Sequence, residues 1–178
     1  MKIGIVTEGG SDERFLRDTL PQLAPQIEWK IKSCGGFGRL YKQADNHYRE
    51  MVYAHMCSHV IFLVDSDGKC PLERRHLIES KISQTIRPWC VSIMCIELES
   101  WFLADAVALL ALGITYVSPG LTDSLSKESL IKLCEKAGIL FTETDFADLI
   151  KAHFSYERAL TYNNSLQHFC NKINEWLL

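Results

Sequence analysis

Two aspartates separated by one residue, Asp65 and Asp67, follow an apolar stretch of the chain. The stretch runs from His59 to Val64, and Gly68 comes directly after the second aspartate. Residues two apart on an extended chain point the same way, so the two carboxylates face one side. Carboxylates held side by side repel each other unless a cation lies between them, and all-oxygen sites suit Mg²⁺ or Mn²⁺. The pattern predicts a divalent-metal site, whereas an isolated Asp-x-Asp-Gly is more often a solvated turn.

Further acidic residues follow two other strand patterns. Glu8 comes directly after the apolar run 2–7. Glu97 and Glu99 follow the apolar run 89–96. The carboxyl ends of parallel strands meet at one edge of a sheet, where open α/β sheets bind ligands, so we expect these acids in one crevice. A cluster of acids from three strands is unfavourable unless cations or protons relieve the repulsion, which is a physical argument for a metal.

The elements that must position these residues alternate between strand and helix. Strand patterns cover 2–7, 27–32, 59–64 and 89–96, and a helical pattern follows each of them. Units of about 30 residues in the order β-α-β-α-β-α-β-α predict an α/β fold with a three-layer, mainly parallel central sheet. Beyond residue 120 the pattern changes to three short helices. We therefore predict an α/β core over 1–120 and a helical extension over 121–178, packed on the core as a C-terminal cap in one structural domain.

The composition fits a globular protein and excludes several classes. Of 178 residues, 47% are hydrophobic and 23% are charged. No stretch approaches the ~18 uncharged apolar residues of a membrane helix, and the N-terminus has a strand pattern instead of a signal peptide. Seven cysteines without a C-x-x-C pair predict free thiols in the cytoplasm. The net charge of −3 gives no overall basic field, so a nucleic-acid partner would need local basic patches or a metal.

Several motifs together resemble the TOPRIM domain. Thr7-Glu8-Gly9-Gly10-Ser11-Asp12 is similar to its E-G-x-S/T-D/E motif, and Val64-Asp65-Ser66-Asp67 is similar to its D-x-D motif. The segment from Glu97 to Asp105 resembles the E-x-E-x-W-hydrophobic-hydrophobic-x-D stretch of a family of small bacterial TOPRIM-like proteins, related to the TOPRIM of overcoming-lysogenization-defect nucleases. The glycine loop 35–38 and the segment 165–169 are also similar to that family, so the resemblance covers nearly the whole chain.

This resemblance implies a nuclease that hydrolyses phosphodiester bonds of DNA or RNA with one or two Mg²⁺ or Mn²⁺ ions. Glu8 matches the glutamate that serves as metal ligand or general base, and Asp65 and Asp67 match the metal-binding pair. Glu97 and Glu99 are the candidates for the remaining ligand. Glu99 is preferred because it is closer to the tryptophan of the motif.

Two further acids have alternative roles. Asp12 stands where relatives carry a second metal-binding acid, and a favourable charge at a helix N-terminus explains it equally well. Asp105 matches the last position of the third motif and is either a distal ligand or a structural cap. Relatives that cut nucleic acid usually add a basic residue near the scissile phosphate. Lys69, Arg39 and Lys42 are nearest in sequence to the site loops, and none of them can be assigned to that role.

The resemblance also bears on partners and on alternatives. Genes of such families often stand beside an ATPase gene in phage-defence or mobile-element operons, so it implies an ATPase partner. The first alternative is a non-catalytic TOPRIM-like binding or sensor subunit. A second is a phosphatase of the HAD type, whose D-x-D-G motif Asp65 to Gly68 resembles, although that family places the motif after its first strand. The glycine loop 35–38 predicts a tight turn, and its N–H groups are a further candidate for phosphate binding.

Overall fold

Four parallel strands form the sheet that the sequence pattern predicts. In the computed structural model, which describes residues 1–117 and 120–178, they are β1 (Lys2–Thr7), β2 (Glu28–Ser33), β3 (His59–Asp65) and β4 (Trp89–Met94). Their order in the sheet is β2-β1-β3-β4. The predicted α/β class with a parallel sheet flanked by helices in three layers is confirmed. The three strands that lead to the candidate acids are consecutive neighbours.

The helices of the described residues follow in chain order. They are α1 (Gly10–Leu23), α2 (Phe37–Lys42), α3 (Ala44–Arg49), a π-helical segment (Glu50–Ala54), α4 (Pro71–Glu79), α5 (Glu99–Leu103), α6 (Ala106–Ala111), α7 (Lys127–Lys136), α8 (Glu143–Ile150), α9 (Tyr156–Leu160) and α10 (Asn164–Leu177). Among all residues other than 118 and 119, no helix combines the length and the apolar surface that crossing a membrane requires.

The chain divides into two compact units. Unit 1 comprises residues 1–65 and 69–93, and unit 2 comprises residues 66–68 and 94–178. The boundary predicted between residues 120 and 121 lies inside unit 2, and the predicted division into core and extension stays a prediction.

In unit 1 the strand register brings the carboxyl ends of the strands to one level. Thr7, the last residue of β1, is paired with Ser33, the last residue of β2. On its other side Thr7 is paired with Leu63 of β3, two residues before Asp65. The residues that directly follow β1 therefore lie beside the end of β3.

Helices cover both faces of the sheet in unit 1. Successive strand residues point to opposite faces, so Ile3 and Ile5 lie on the face opposite to Val6. Helix α1 packs against β1 and β2 and buries Phe15 and Leu16. The other face forms a continuous apolar cluster with α2, α3, the π-helical segment and α4, which includes Val6, Leu40, Tyr48, Met51, Phe62, Val64 and Ile78.

Strand β2 is an edge strand of the sheet, and one of its outer backbone groups is covered by a side chain. The backbone N–H of Ser33 donates a hydrogen bond of 2.9 Å to Oε2 of Glu13 in α1. Glu13 also pairs with Arg17 one turn further along the helix. A carboxylate from α1 therefore occupies this position on the free edge of the sheet.

A buried polar network holds the helices of unit 2 together. Nε1 of Trp101 donates to Oγ of Ser165 at 3.0 Å, and that hydroxyl donates to Oδ1 of Asn163 at 2.7 Å. Nδ2 of Asn163 donates to Oγ1 of Thr122 at 3.0 Å, and Thr122 donates to the carbonyl oxygen of Ser100 at 2.8 Å. All five residues are buried. Because every link is satisfied, the network fixes the start of α5 against the start of α10.

Candidate functional site

Glu8 and Asp65 meet at the carboxyl edge of the sheet in unit 1. Oε1 of Glu8 accepts a hydrogen bond of 3.0 Å from the backbone N–H of Asp65. Glu8 is only 8% exposed, and Asp65 is partly buried. The structure thus brings the glutamate of the first motif to the first aspartate of the second, as the strand pattern predicts.

The glycine loop holds the backbone of Glu8. The N–H groups of Gly35 and Gly36 both donate to the carbonyl oxygen of Glu8, at 3.0 and 2.9 Å. The φ angles of these glycines are +75° and +107°, which a residue with a side chain rarely adopts. These two N–H groups bond to Glu8 and are not available to a phosphate, whereas phosphate binding by the rest of the loop stays a prediction.

Asp12 lies in the first turn of α1, where its carboxylate serves the helix. Oδ2 of Asp12 accepts a hydrogen bond of 2.9 Å from the backbone N–H of Gly9, the residue before the helix. Asp12 is 5% exposed. This arrangement fits the helix N-terminus alternative, and its role as a metal ligand stays a prediction.

In unit 2 the turn after β3 is hydrogen-bonded to the last residue of β4 and to the segment that follows it. The N–H of Ser66 donates to the carbonyl oxygen of Met94 at 2.9 Å, and the N–H of Asp67 donates to that of Ile96 at 3.0 Å. The N–H of Ile96 donates in turn to Oγ of Ser66 at 2.8 Å. Asp67 and Ile96 have φ angles of +49° and +61°. Such backbone costs on the order of 1–3 kcal/mol per residue and is concentrated at functional sites.

Glu99 is a buried carboxyl at the first position of α5 in unit 2. It is 7% exposed. Burial, and after it the negative charge of Glu97, raises the pKa of the Glu99 carboxyl from 4.5 to about 7. A carboxyl with this pKa changes charge near neutral pH, which suits a metal ligand or an acid–base group. Burial and the raised pKa therefore support the preference for Glu99 over Glu97, which stays a prediction.

Lys127 is a basic residue beside the two glutamates of the third motif. Its backbone N–H donates to Oε1 of Glu97 at 2.5 Å, and its Nζ lies 3.8 Å from Oε2 of the same side chain. Nζ also lies 2.6 Å from Oε1 of Glu143. The hydrogen bond to Glu143 is the main cause that raises the pKa of Lys127.

The sequence offers no motif that identifies Lys127. It lies 28 residues after Glu99, at the start of α7, and its only local signal is Ser126 as an N-cap residue. The basic residues that lie close to the acids along the chain are instead Lys69, Arg39 and Lys42. Tertiary structure, not local pattern, brings Lys127 to Glu97.

Asp105, the last acid of the third motif, has a structural role. Its carboxylate caps α6 by accepting from the N–H of Ala108 at 3.1 Å, and it accepts from the N–H of Ser155 at 2.8 Å. The guanidinium of Arg158 donates to both of its oxygens at 2.8 Å. With four hydrogen bonds and a side chain that is 0% exposed, Asp105 acts as the cap and pair of the second alternative.

The candidate acids suit Mg²⁺ by their chemistry. They offer carboxylate oxygens, and Mg²⁺ keeps several waters and needs only one or two carboxylates from the protein. In unit 1 the carboxylate of Glu8 contacts the backbone of Asp65, and in unit 2 the charge of Glu97 acts on the carboxyl of Glu99. Within residues 1–117 and 120–178, no group of three or more His, Cys, Asp or Glu side chains is arranged to hold a metal ion. The predicted Mg²⁺ or Mn²⁺ site stays a prediction.

Comparison with known proteins gives a family but no activity. No curated protein and no solved structure matches this chain. One family model, described as a domain of unknown function (DUF4276), matches residues 7–174. Its description makes no link to TOPRIM, so that resemblance stays a prediction. The matched region contains all of the candidate acids from Glu8 to Glu99 and nearly the whole chain. The chain therefore belongs to the DUF4276 family.

Proposed function

We propose that this protein is a divalent-metal-dependent nuclease of the TOPRIM type, which hydrolyses phosphodiester bonds of DNA or RNA. The observation that carries the proposal is the hydrogen bond from the backbone of Asp65 to the carboxylate of Glu8. It joins the two motifs of the resemblance at the neighbouring ends of β1 and β3. This edge of an open parallel sheet is where α/β proteins bind ligands.

Each candidate residue has a separate task in this function. Glu8 is held by its carbonyl oxygen and by its carboxylate, which fixes the position of that carboxylate at the edge of the sheet. Asp65 and Asp67 supply the metal-binding carboxylates, and Asp67 is exposed on a turn whose backbone is fixed by hydrogen bonds. When bound, Mg²⁺ supplies activation of water and stabilisation of charge at the phosphate. Glu99 supplies the remaining ligand or accepts a proton near neutral pH.

We propose Lys127 as the basic residue that acts beside the glutamates of the third motif in unit 2. Its raised pKa keeps the ammonium charged at neutral pH, and it lies 3.8 Å from Glu97. A cation beside the carboxylates compensates negative charge when a phosphate approaches. We expect Lys127→Gln to lower cleavage far more than Lys132→Gln, an exposed lysine of the same helix.

One observation favours a second candidate, a non-catalytic binding or sensor subunit of TOPRIM-like fold. The described residues contain no assembled group of three metal ligands. In this alternative the fold binds nucleic acid or a partner protein without cutting it. The HAD-type phosphatase has no comparable support, since the Asp-Ser-Asp-Gly turn follows the third strand of the chain.

A cleavage assay with matched variants tests the proposal. Purified protein is incubated with labelled single-stranded DNA, duplex DNA and RNA, with Mg²⁺, with Mn²⁺ or with a chelator. We expect cleavage that needs the metal and is abolished by Glu8→Gln and by Asp65→Asn, while Glu135→Gln, at an exposed glutamate of α7, leaves it unchanged. Cleavage that survives Asp65→Asn or the chelator rejects the proposal. Release of phosphate from a monoester, dependent on Asp65, would instead support the phosphatase.

The biological setting is proposed on the resemblance and the composition. We propose a cytoplasmic protein with a phage-defence or mobile-element role and an ATPase encoded nearby as its partner. All seven cysteines are free thiols, which is compatible with a reducing compartment. Co-purification of the tagged protein with the product of a neighbouring ATPase gene, followed by gel filtration of the pair, tests the partnership.

A further inference from the structure

Two segments of unit 1 carry positive charge that the rest of the chain lacks. The segments 35–42 and 69–81 contain six lysines and arginines and two glutamates, a net charge of +4. The whole chain has a net charge of −3, which leaves −7 for all other residues. The charge of the protein is therefore strongly asymmetric, although its total is small.

The structure brings these two segments together. The guanidinium of Arg74 in α4 lies 3.8 Å from the ring centroid of Phe37 in α2. Nζ of Lys81, two residues beyond α4, lies 4.6 Å from the ring centroid of Tyr41. The two aromatic rings stack on each other with centroids 6.0 Å apart and an angle of 7° between their planes. These contacts hold α4 and the residues after it against α2. The positive charges of the two segments therefore lie in one region of unit 1.

Five exposed cations of the two segments define what we call the basic face: Arg39, Lys42, Lys69, Arg75 and Lys81. Among the residues that the structure describes, none of the five forms an ion pair. Several cations elsewhere in unit 1 are paired, such as Lys2 with Glu28 and Arg49 with Asp45. The charge of the basic face is thus not neutralised by the protein itself.

The basic face begins where the candidate acids lie. Helix α2 starts directly after the glycines whose N–H groups bond to the carbonyl oxygen of Glu8. Lys69 is four residues beyond Asp65 in the chain. A polyanion bound along α2 and α4 would therefore reach the edge of the sheet that carries Glu8 and Asp65.

We propose that the basic face binds the phosphate backbone of a nucleic acid and guides it to the carboxyl edge of the sheet. The inference rests on the proposed function, because it states how that function holds its polyanionic substrate. Flexible exposed lysines and arginines contact phosphates without reading bases, so binding is independent of sequence. The faces of Phe37 and Tyr41 are already occupied by cations and by each other, which leaves electrostatics as the main source of affinity.

The test measures binding separately from cleavage. In an Asp65→Asn background with a chelator, fluorescence anisotropy follows labelled single-stranded DNA, RNA and duplex DNA over about 50 to 200 mM salt. We compare Arg39→Gln/Lys42→Gln with Lys132→Gln/Lys136→Gln, which removes two exposed cations from α7. Losing two phosphate contacts should weaken single-strand binding roughly tenfold and lower the salt slope by about 1.4. Lys81→Gln should lower that slope by about half as much. Thermal melts confirm that all variants are folded.

The outcomes separate this inference from the proposed nuclease. Equal losses in the two double variants, or an unchanged salt slope, overturn the inference even if the parent cuts nucleic acid. If the parent cuts no nucleic acid with either metal, but binding is weakened in the α2 double variant and not in the α7 double variant, the nuclease proposal fails. The basic face then still stands as a binding surface. Binding of anionic phospholipid vesicles through the same residues, without binding of nucleic acid, would identify a lipid surface and overturn the inference.

Discussion

The buried carboxyl of Glu99 should make the metal-free protein less stable as the pH rises towards neutrality. Burial and the charge of Glu97 raise its pKa from 4.5 to about 7. Between these values the folded protein binds more protons than the unfolded chain, so the free energy of unfolding falls with increasing pH. A rise of this size corresponds to about 3 kcal/mol, which is fully present below pH 4.5 and lost by about pH 7.

The substitution Glu99→Gln isolates this contribution. Urea unfolding of parent and variant is measured in chelator from about pH 4.5 to 8, and the difference in unfolding free energy is plotted against pH. We expect the variant to gain about 3 kcal/mol relative to the parent across this range and then to stay level. Other shifted groups, such as His47, whose pKa is lowered chiefly by burial, contribute to both proteins and cancel.

The control for this experiment is Glu135→Gln, which removes an exposed negative charge from the same unit. Its difference curve reports the general effect of one charge fewer. If Glu99→Gln runs parallel to the parent at every pH, the Glu99 carboxyl is not held neutral by burial and the reasoning fails. If Glu99 is a metal ligand, Mg²⁺ should stabilise the parent more than the variant at pH 7.5, because only the parent has a carboxylate at this position to bind the ion.

Three further predictions concern residues whose surroundings differ in kind. Asp65→Asn and Asp67→Asn should abolish activity yet leave the chelated protein as stable as the parent, because they remove like-charge repulsion; melts that show clear destabilisation would make both acids structural. Trp101→Ala should cost about 3–5 kcal/mol in urea unfolding, since a fully buried ring and its hydrogen bond are lost, and a cost below 1 kcal/mol would contradict that packing. Arg158→Ala should cost about 2 kcal/mol because it leaves buried Asp105 with two backbone donors, and an unchanged melting temperature would show that the pair adds nothing.

Periodic patterns were enough to predict the parallel sheet. The strand patterns predicted the four strands, and the parallel order placed Glu8 beside Asp65. Helix lengths were less predictable. The residue pattern from Glu99 to Leu112 is helical throughout, but Asp105 leaves the helical backbone region and caps a new helix, α6. Its partner Arg158 is more than fifty residues away, so the break could not be read locally.

Contacts between distant segments explain what the sequence could not predict. The net charge of −3 suggested no basic field, because a sum over the chain hides two positive segments separated by about thirty residues. Only the contacts of Phe37 with α4 and of Tyr41 with Lys81 show that the positive charges of these segments lie together. The raised pKa of Glu99 likewise depends on burial in unit 2. Side-chain burial is a property of packing, and no spacing rule supplies it.

The carboxylate of Glu13, which lies in α1 and is bonded to the edge strand β2, also bears on aggregation between separate molecules. An uncovered strand edge is a template for pairing with another chain, and natural sheets commonly block it with charge. Burial raises the pKa of Glu13, but the hydrogen bonds from Ser33 and the charge of Arg17 outweigh that effect and lower it. Glu13 therefore stays negative in all but strongly acidic solution. In strongly acidic solution, protonation of Glu13 would weaken its hydrogen bond with the N–H of Ser33. Aggregation between strand edges would then begin at β2.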